Sequence, residues 1–184
     1  MPSIDHIAFV VEKIEKLVDE WLVETDNLIE DFPSEGTREL YLGAPEQSMR
    51  ILLMQPTGPG PYENAYQKRG DSLHHIAFCV DDINAIAKGA QKVGWERPPK
   101  SLPYLESMGQ LWLCKPGIPT LIEIVQGRAN YDSQFAEKLY LPITEFEMRL
   151  FDIFECQNIE QTNHSFPFIN LNGQEIALQN LKGP

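Results

Sequence analysis

Residues 5–14 read DHIAFVVEKI, and residues 74–83 read HHIAFCVDDI. Six of the ten aligned positions are identical (histidine, isoleucine, alanine, phenylalanine, valine and isoleucine), so the chain carries an internal duplication. Each copy starts as an apolar strand and runs on into a helical pattern. Ile14, Leu17, Val18, Trp21 and Leu22 recur at helical spacing in the first; Ile83, Ile86, Ala87 and Ala90 do so in the second, which Gly94 closes. Strand-like TRELYLG (37–43) and SMRILLMQP (48–56) follow in the first half, GQLWLCKP (109–116) and TLIEIVQG (120–127) in the second. The closing strands also correspond, ILLMQ (51–55) lying over IEIVQ (122–126) at a slightly larger offset, as a loop insertion would give. Each half therefore reads strand–helix–strand–strand–strand, with a faint second strand.

A unit too small to close its own core predicts two modules paired around a shared interior. The expected class is α+β, with a first βαβββ module at 1–58, a linker at 59–72, a second module at 73–128 and an extension at 129–184. Near the linker, TGPGPYENAYQKRGDS (57–72) has turn-forming prolines ahead of a short helix. In the extension, FAEKLYLPITEFEMRLFDIFECQ (135–157) predicts a helix or strand interrupted at Pro142. SFPFINLNGQEIALQ (165–179) predicts a hairpin turning at Asn172-Gly173. The extension has three possible places: over the cleft, against a dimer partner, or along the sheet.

Composition narrows the function. The 184 residues are 42% hydrophobic and 23% charged, ordinary for a globular protein. Without a run of about 18 apolar residues, a membrane-spanning helix is not expected. The opening MPSIDHIAFVVEK lacks the basic and long apolar segments of a secretory signal, which predicts a cytoplasmic protein. A net charge of −12, from 15 basic against 27 acidic residues, argues against a nucleic-acid partner, and the one basic cluster is Lys68-Arg69. Cys79, Cys114 and Cys156 form no C-x-x-C pair, so neither a disulfide framework nor a cysteine zinc site is expected. Cys79 and Cys114 read as small buried hydrophobes.

Strand alternation puts His6, Ala8 and Val10 on one face, and likewise His75, Ala77 and Cys79. Glu123 shares a face with Leu121 and Val125, where burial is costly unless the carboxyl is paired, protonated or bound to a metal. A lone histidine in an apolar strand is usually a packed residue. Two at repeat-related positions, joined by that glutamate, instead predict a two-histidine, one-carboxylate set for a divalent metal ion. Alternation sends His74 to the opposite face, as a structural residue.

The same segments carry a family resemblance. DHIAFVV (5–11), LHHIAFCVDDI (73–83) and TLIEIVQ (120–126) resemble the vicinal oxygen chelate superfamily, over about residues 3 to 128. That group includes glyoxalase I, methylmalonyl-CoA epimerase, extradiol dioxygenases and bleomycin-resistance proteins. YENAYQKRGDSLHHIAFCVDDI (62–83) is similar to the epimerase branch, and IEIVQ to the last ligand strand of hydroxyphenylpyruvate dioxygenase. The resemblance implies paired modules making a cupped, mostly antiparallel sheet around a metal held by His6, His75 and Glu123. The ion would be Fe, Mn, Co, Ni or Zn, and the substrate a small molecule that chelates through oxygen.

It further implies a metal-dependent glyoxalase- or epimerase-like lyase or isomerase, with Glu123 and Glu35 as catalytic residues. Glu39 and Glu106 are lesser candidates, and His164 is not assigned. The fourth ligand of glyoxalase I and the epimerase, a Glu or Gln, falls on Leu52. Gln55 lies on the opposite strand face unless a bulge re-aims it. A three-ligand set is also what Fe(II) extradiol-type and 2-oxo-acid-type dioxygenases use. A non-catalytic binding or resistance protein is the remaining alternative. A homodimer is expected by the same resemblance.

Overall fold

The computed structural model describes residues 2–21, 25–99, 109–127 and 130–177. Leu22 and Glu106 lie outside these residues. The first half runs β1 (Ser3–Val10), α1 (Ile14–Trp21), β2 (Glu30–Phe32), β3 (Thr37–Leu42), β4 (Gln47–Ser48) and β5 (Arg50–Pro56). The linker forms α2 (Pro61–Arg69). The second half runs β6 (Ser72–Val80), α3 (Ile83–Lys92), β7 (Gln110–Lys115) and β8 (Ile118–Gln126). Among the described residues, the region of its faint second strand shows one antiparallel bridge, Glu96 with Cys114.

Seven strands make one open sheet in the order β2-β3-β5-β1-β6-β8-β7. The two halves repeat each other in pairing as well as in sequence. β1 runs parallel to β5 as β6 does to β8, and the other four pairings are antiparallel. Ala8 lies opposite Leu52, and its repeat partner Ala77 lies opposite Glu123. The sequence register between the two closing strands is therefore the register of the fold.

The sheet is buried on both faces, which is why β1 and β6 read as near-continuous apolar runs. On one side Ile14, Leu17 and Trp21 of α1 and Ile83, Ala87 and Ala90 of α3 pack on Ile7, Phe9, Ile76 and Phe78. Asp82 caps α3, accepting from the backbone N–H groups of Asn84 and Ala85 at 3.0 Å. On the other side Ala8, Val10, Leu52 and Met54 form a smaller cluster under Tyr62, Ala65 and Tyr66 of α2. The linker helix thus covers part of the face on which the candidate ligands lie.

The extension builds a second sheet, β11-β10-β12-β13, from Ile159–Gln161, Lys138–Leu141, Phe168–Leu171 and Gln174–Ala177. Its last two strands are the expected hairpin, and Asn172 and Gly173 both take positive φ, 53° and 74°, as a tight mirror-image turn requires. A helix (Glu145–Asp152) follows Pro142. The extension packs on the helical side of the main sheet, where the Phe154 ring stacks on Phe78 at 3.9 Å and Ile153 meets α3 at Gly89. Ahead of that sheet, β9 (Ser133–Gln134) pairs in parallel with β4. Of the three cysteines only Cys79 is buried; Cys114 is partly exposed because its strand, β7, is the sheet edge, which corrects the expectation for that residue.

Phe154 is fully buried between the extension and the main sheet. Phe154→Ala is expected to cost about 3–5 kcal/mol, with one cooperative urea transition in wild type. Two separate transitions in the wild-type chain would show that the extension is an independent unit.

Candidate metal centre

The site grows from how β1 and β6 pair. Around the centre of this antiparallel pair His6 lies opposite Ala77, Ile7 opposite Ile76, and Ala8 opposite His75, so the repeat is related by a local two-fold. The register then slips on either side: Ile4 pairs with Phe78, and Phe9 with Leu73. One residue is extra in each strand, Asp5 in β1 and His74 in β6, and these two are themselves repeat partners. Each is a β-bulge, which breaks the alternation of side chains. His74 is consequently not turned to the far face, as simple alternation predicts; its ring lies 5.0 Å from that of Tyr62 in α2.

Both bulge residues contact the histidine that follows. Asp5 Oδ2 is 2.6 Å from His6 Nδ1, and His74 Nδ1 is 2.9 Å from His75 Nδ1. A carboxylate can only accept, so His6 carries a proton on Nδ1 and turns Nε2, its other ring nitrogen, inward. A cation at the site selects the matching arrangement in the other half, with His75 Nδ1–H donating to His74. Orientation of a metal-binding imidazole through its second nitrogen is the usual way such ligands are fixed.

Three candidate ligand atoms then converge. His6 Nε2 lies 3.1 Å from His75 Nε2, and Glu123 Oε2 lies 3.6 and 3.4 Å from those two nitrogens. Nitrogen and oxygen ligands held about 2.1 Å from one ion lie about 3.0 Å apart at octahedral angles and about 3.4 Å apart at tetrahedral ones. The triangle has the size of a divalent-metal face, and all three residues are buried. Burial pushes the His75 pKa down, which leaves a neutral imidazole. Burial opposes ionisation of Glu123, but the hydrogen bond from His75 and the charges of both histidines outweigh it, and its pKa is lowered. Both shifts favour the protonation states that bind a cation.

Around the triangle the repeat continues. Tyr41 lies opposite Leu52 and Trp112 opposite Glu123; their rings meet His6 and His75 edge-on at 5.5 and 4.9 Å. Leu52 stands in the register position of Glu123 but is buried with Ala8, Val10 and Met54. Gln55 supplies no substitute ligand, because its Oε1 accepts from the Ile14 backbone N–H at 3.3 Å, at the start of α1 on the opposite face.

Two glutamates flank the site. Glu39 is half-buried on the same face of β3 as Tyr41; burial first, then the charges of Glu35 and Glu123, raise its pKa. Glu35 is exposed, and its contact is with Tyr62, whose hydroxyl donates to it at 3.4 Å. Glu39 and Tyr41 also line a cavity of about 200 Å³ with Phe32 and Arg50. His164 lies exposed in the extension, against Phe166 and Phe168.

Comparisons with known proteins bear on the family and the fold. The family model for the glyoxalase/bleomycin resistance protein/dioxygenase superfamily matches residues 5–104. A solved structure of a hypothetical protein from Bacillus halodurans C-125 is 22% identical, with a TM-score of 0.54, covering 69% of this chain and 95% of its own. A variant of methylmalonyl-CoA epimerase from Streptomyces coelicolor, in complex with 2-nitronate-propionyl-CoA, is 25% identical with a TM-score of 0.51, covering 69% of this chain and 98% of its own. A methylmalonyl-CoA epimerase in complex with methylmalonyl-CoA and NH4+ is 24% identical, with a TM-score of 0.51 and coverages of 71% and 98%. No curated protein matches the chain in sequence.

Two predictions follow from the separate roles of the adjacent histidines. His75→Ala should abolish stoichiometric binding of Zn or Co, while His74→Ala should keep the ion but weaken it by about 10- to 100-fold; equal loss in both, read from metal content after gel filtration, would overturn the division of roles. The second concerns acid. In metal-free protein burial and the neighbouring charges of His75 and Arg69 push the His74 pKa down from 6.5 to about 3. The unfolded chain therefore binds the proton first, and stability drains as pH falls from about 6.5 towards 3. His74→Asn should make that decline shallower in urea titrations; an unchanged slope would contradict the assignment.

Proposed function

The chain belongs to the glyoxalase/bleomycin resistance protein/dioxygenase superfamily, and from that premise we propose that it is a metal-dependent, glyoxalase- or epimerase-like enzyme acting on a small substrate that chelates through oxygen. His6, His75 and Glu123 would hold the divalent ion. The observation that carries the reading is the convergence of their three ligand atoms; Glu39 lies on the same sheet face, in register with Met54 and Val10. When bound, the metal supplies Lewis acidity that draws negative charge onto a carbonyl oxygen of the substrate.

The chain's own part is proton transfer and enclosure. Glu39 takes the proton from the carbon next to that carbonyl, and burial, which raises its pKa, makes the carboxylate a stronger base for this. Glu39 thus fills the role that the sequence suggested for Glu35, whose exposed carboxyl accepts from Tyr62 at the rim. The rings of Tyr41 and Trp112 wall the site beside the two histidines and keep water from its flanks. The proposed setting is a cytoplasmic homodimer; among the described residues no helix is long and apolar enough to cross a membrane.

One observation favours a second reading. Leu52 leaves a three-residue ligand set, the facial arrangement that non-haem Fe(II) oxygenases use. The two are separated with methylmalonyl-CoA and catechol as probes, on protein loaded with Co, Mn or Fe. The expected result is exchange of the methylmalonyl α-proton with solvent deuterium and no oxygen uptake, with exchange about 10²- to 10⁴-fold slower in Glu39→Gln. Oxygen consumption with Fe and catechol would establish the second reading instead. Ligand binding with neither activity would indicate a binding protein.

A further inference from the structure

We propose that Tyr131, from the extension beyond the second module, is a positioning residue for the metal centre. It acts through Asp5 on the proton and orientation of His6. This inference rests on the reading that His6 is a metal ligand.

The observations form a chain of contacts. Asp5 uses one carboxylate oxygen, Oδ2, to accept from His6 Nδ1 at 2.6 Å, and its other oxygen, Oδ1, accepts from the Tyr131 hydroxyl. Arg50 Nη2 lies 3.1 Å from Oδ2 and 3.4 Å from Oδ1, and its guanidinium stacks over Tyr41 at 4.5 Å. The carboxylate is thus held on both oxygens and neutralised from one side. A carboxylate held on both oxygens fixes the His6 ring through Nδ1–H and leaves Nε2 facing His75 and Glu123.

Tyr131 is itself placed by backbone. The Asp132 N–H donates to the Glu46 carbonyl at 2.9 Å, and β9 pairs with β4. The Phe135 N–H then donates to the Ser48 carbonyl at 2.9 Å. This segment is clamped along residues 46–49, directly ahead of Arg50. At Gly43 a Cβ would lie 2.8 Å from the Phe135 ring, so the clamp also depends on a missing side chain there. The extension therefore has a local duty at the site besides packing on the helical face. The arrangement also breaks the repeat: His74, the partner of Asp5, has the ring of Tyr62 beside it.

The test is a double-mutant cycle on the full chain, with Co as the probe, reading dissociation constant by chelator competition and the visible spectrum of the bound ion. Asp5→Asn should weaken Co by about 10- to 100-fold. Tyr131→Phe should weaken it by a smaller factor, about 3- to 10-fold, and shift the spectrum. In the Asp5→Asn background Tyr131→Phe should change neither. An equal effect in both backgrounds, or none in either, would overturn the proposal. A second readout needs no metal. In metal-free protein at pH 8, nitrogen NMR should find the His6 proton on Nδ1, and Tyr131→Phe should raise the Nε2–H fraction. If wild type binds no Co, the metal reading fails while this measurement still decides the positioning role; an unaltered tautomer in Tyr131→Phe overturns it.

Discussion

The antiparallel pairing of β1 with β6 is the constraint on which the rest depends. It fixes the local two-fold, sets His6 and His75 across from alanines, and brings their Nε2 atoms to 3.1 Å. The alanines matter because a larger side chain opposite either imidazole would fill the space where the rings meet. The same pairing contains two bulges, and each turns the preceding residue onto its histidine. A regular ladder would have placed Asp5 and His74 on the far face, and both imidazoles would have lost the partner that fixes their orientation.

The consequence is a buried cluster of three ligand atoms. Two ring nitrogens and a carboxylate oxygen this close are held together by protons shared between them or by a cation. At His6 the outer partner, Asp5, can only accept, so Nδ1 carries a proton and Nε2 is the atom left for the cluster. The packing around it, with α1 and α3 behind and α2 in front, holds the three elements in place.

Much of this was legible in the sequence because the duplication carries register. Aligning ILLMQ with IEIVQ placed Leu52 on Glu123, and the structure pairs them with Ala8 and Ala77. The repeat ELYLG (39–43) against QLWLC (110–114) also contained the Tyr41–Trp112 pair, although its meaning is visible only once the rings are seen beside the histidines. The place of His74 was not legible, because alternation is a rule for regular strands and a bulge leaves no mark in composition. The resemblance put Glu35 ahead of Glu39; that Glu39 is half-buried and Glu35 exposed left no mark in the sequence. Tyr131 carried no signal at all: its contact with Asp5 spans most of the chain and depends on the β4–β9 clamp.

The central claim is that His6, His75 and Glu123 form one metal face and that Leu52 leaves its repeat position without a ligand. Anomalous diffraction at the cobalt edge, from crystals grown with Co, tests it most directly. The account predicts one strong peak per chain within about 2.3 Å of His6 Nε2, His75 Nε2 and a Glu123 carboxylate oxygen, with no protein atom bound from the Leu52 side. A peak bound instead by His74 or His164, a fourth protein ligand in the Leu52 direction, or no peak at the site would contradict it.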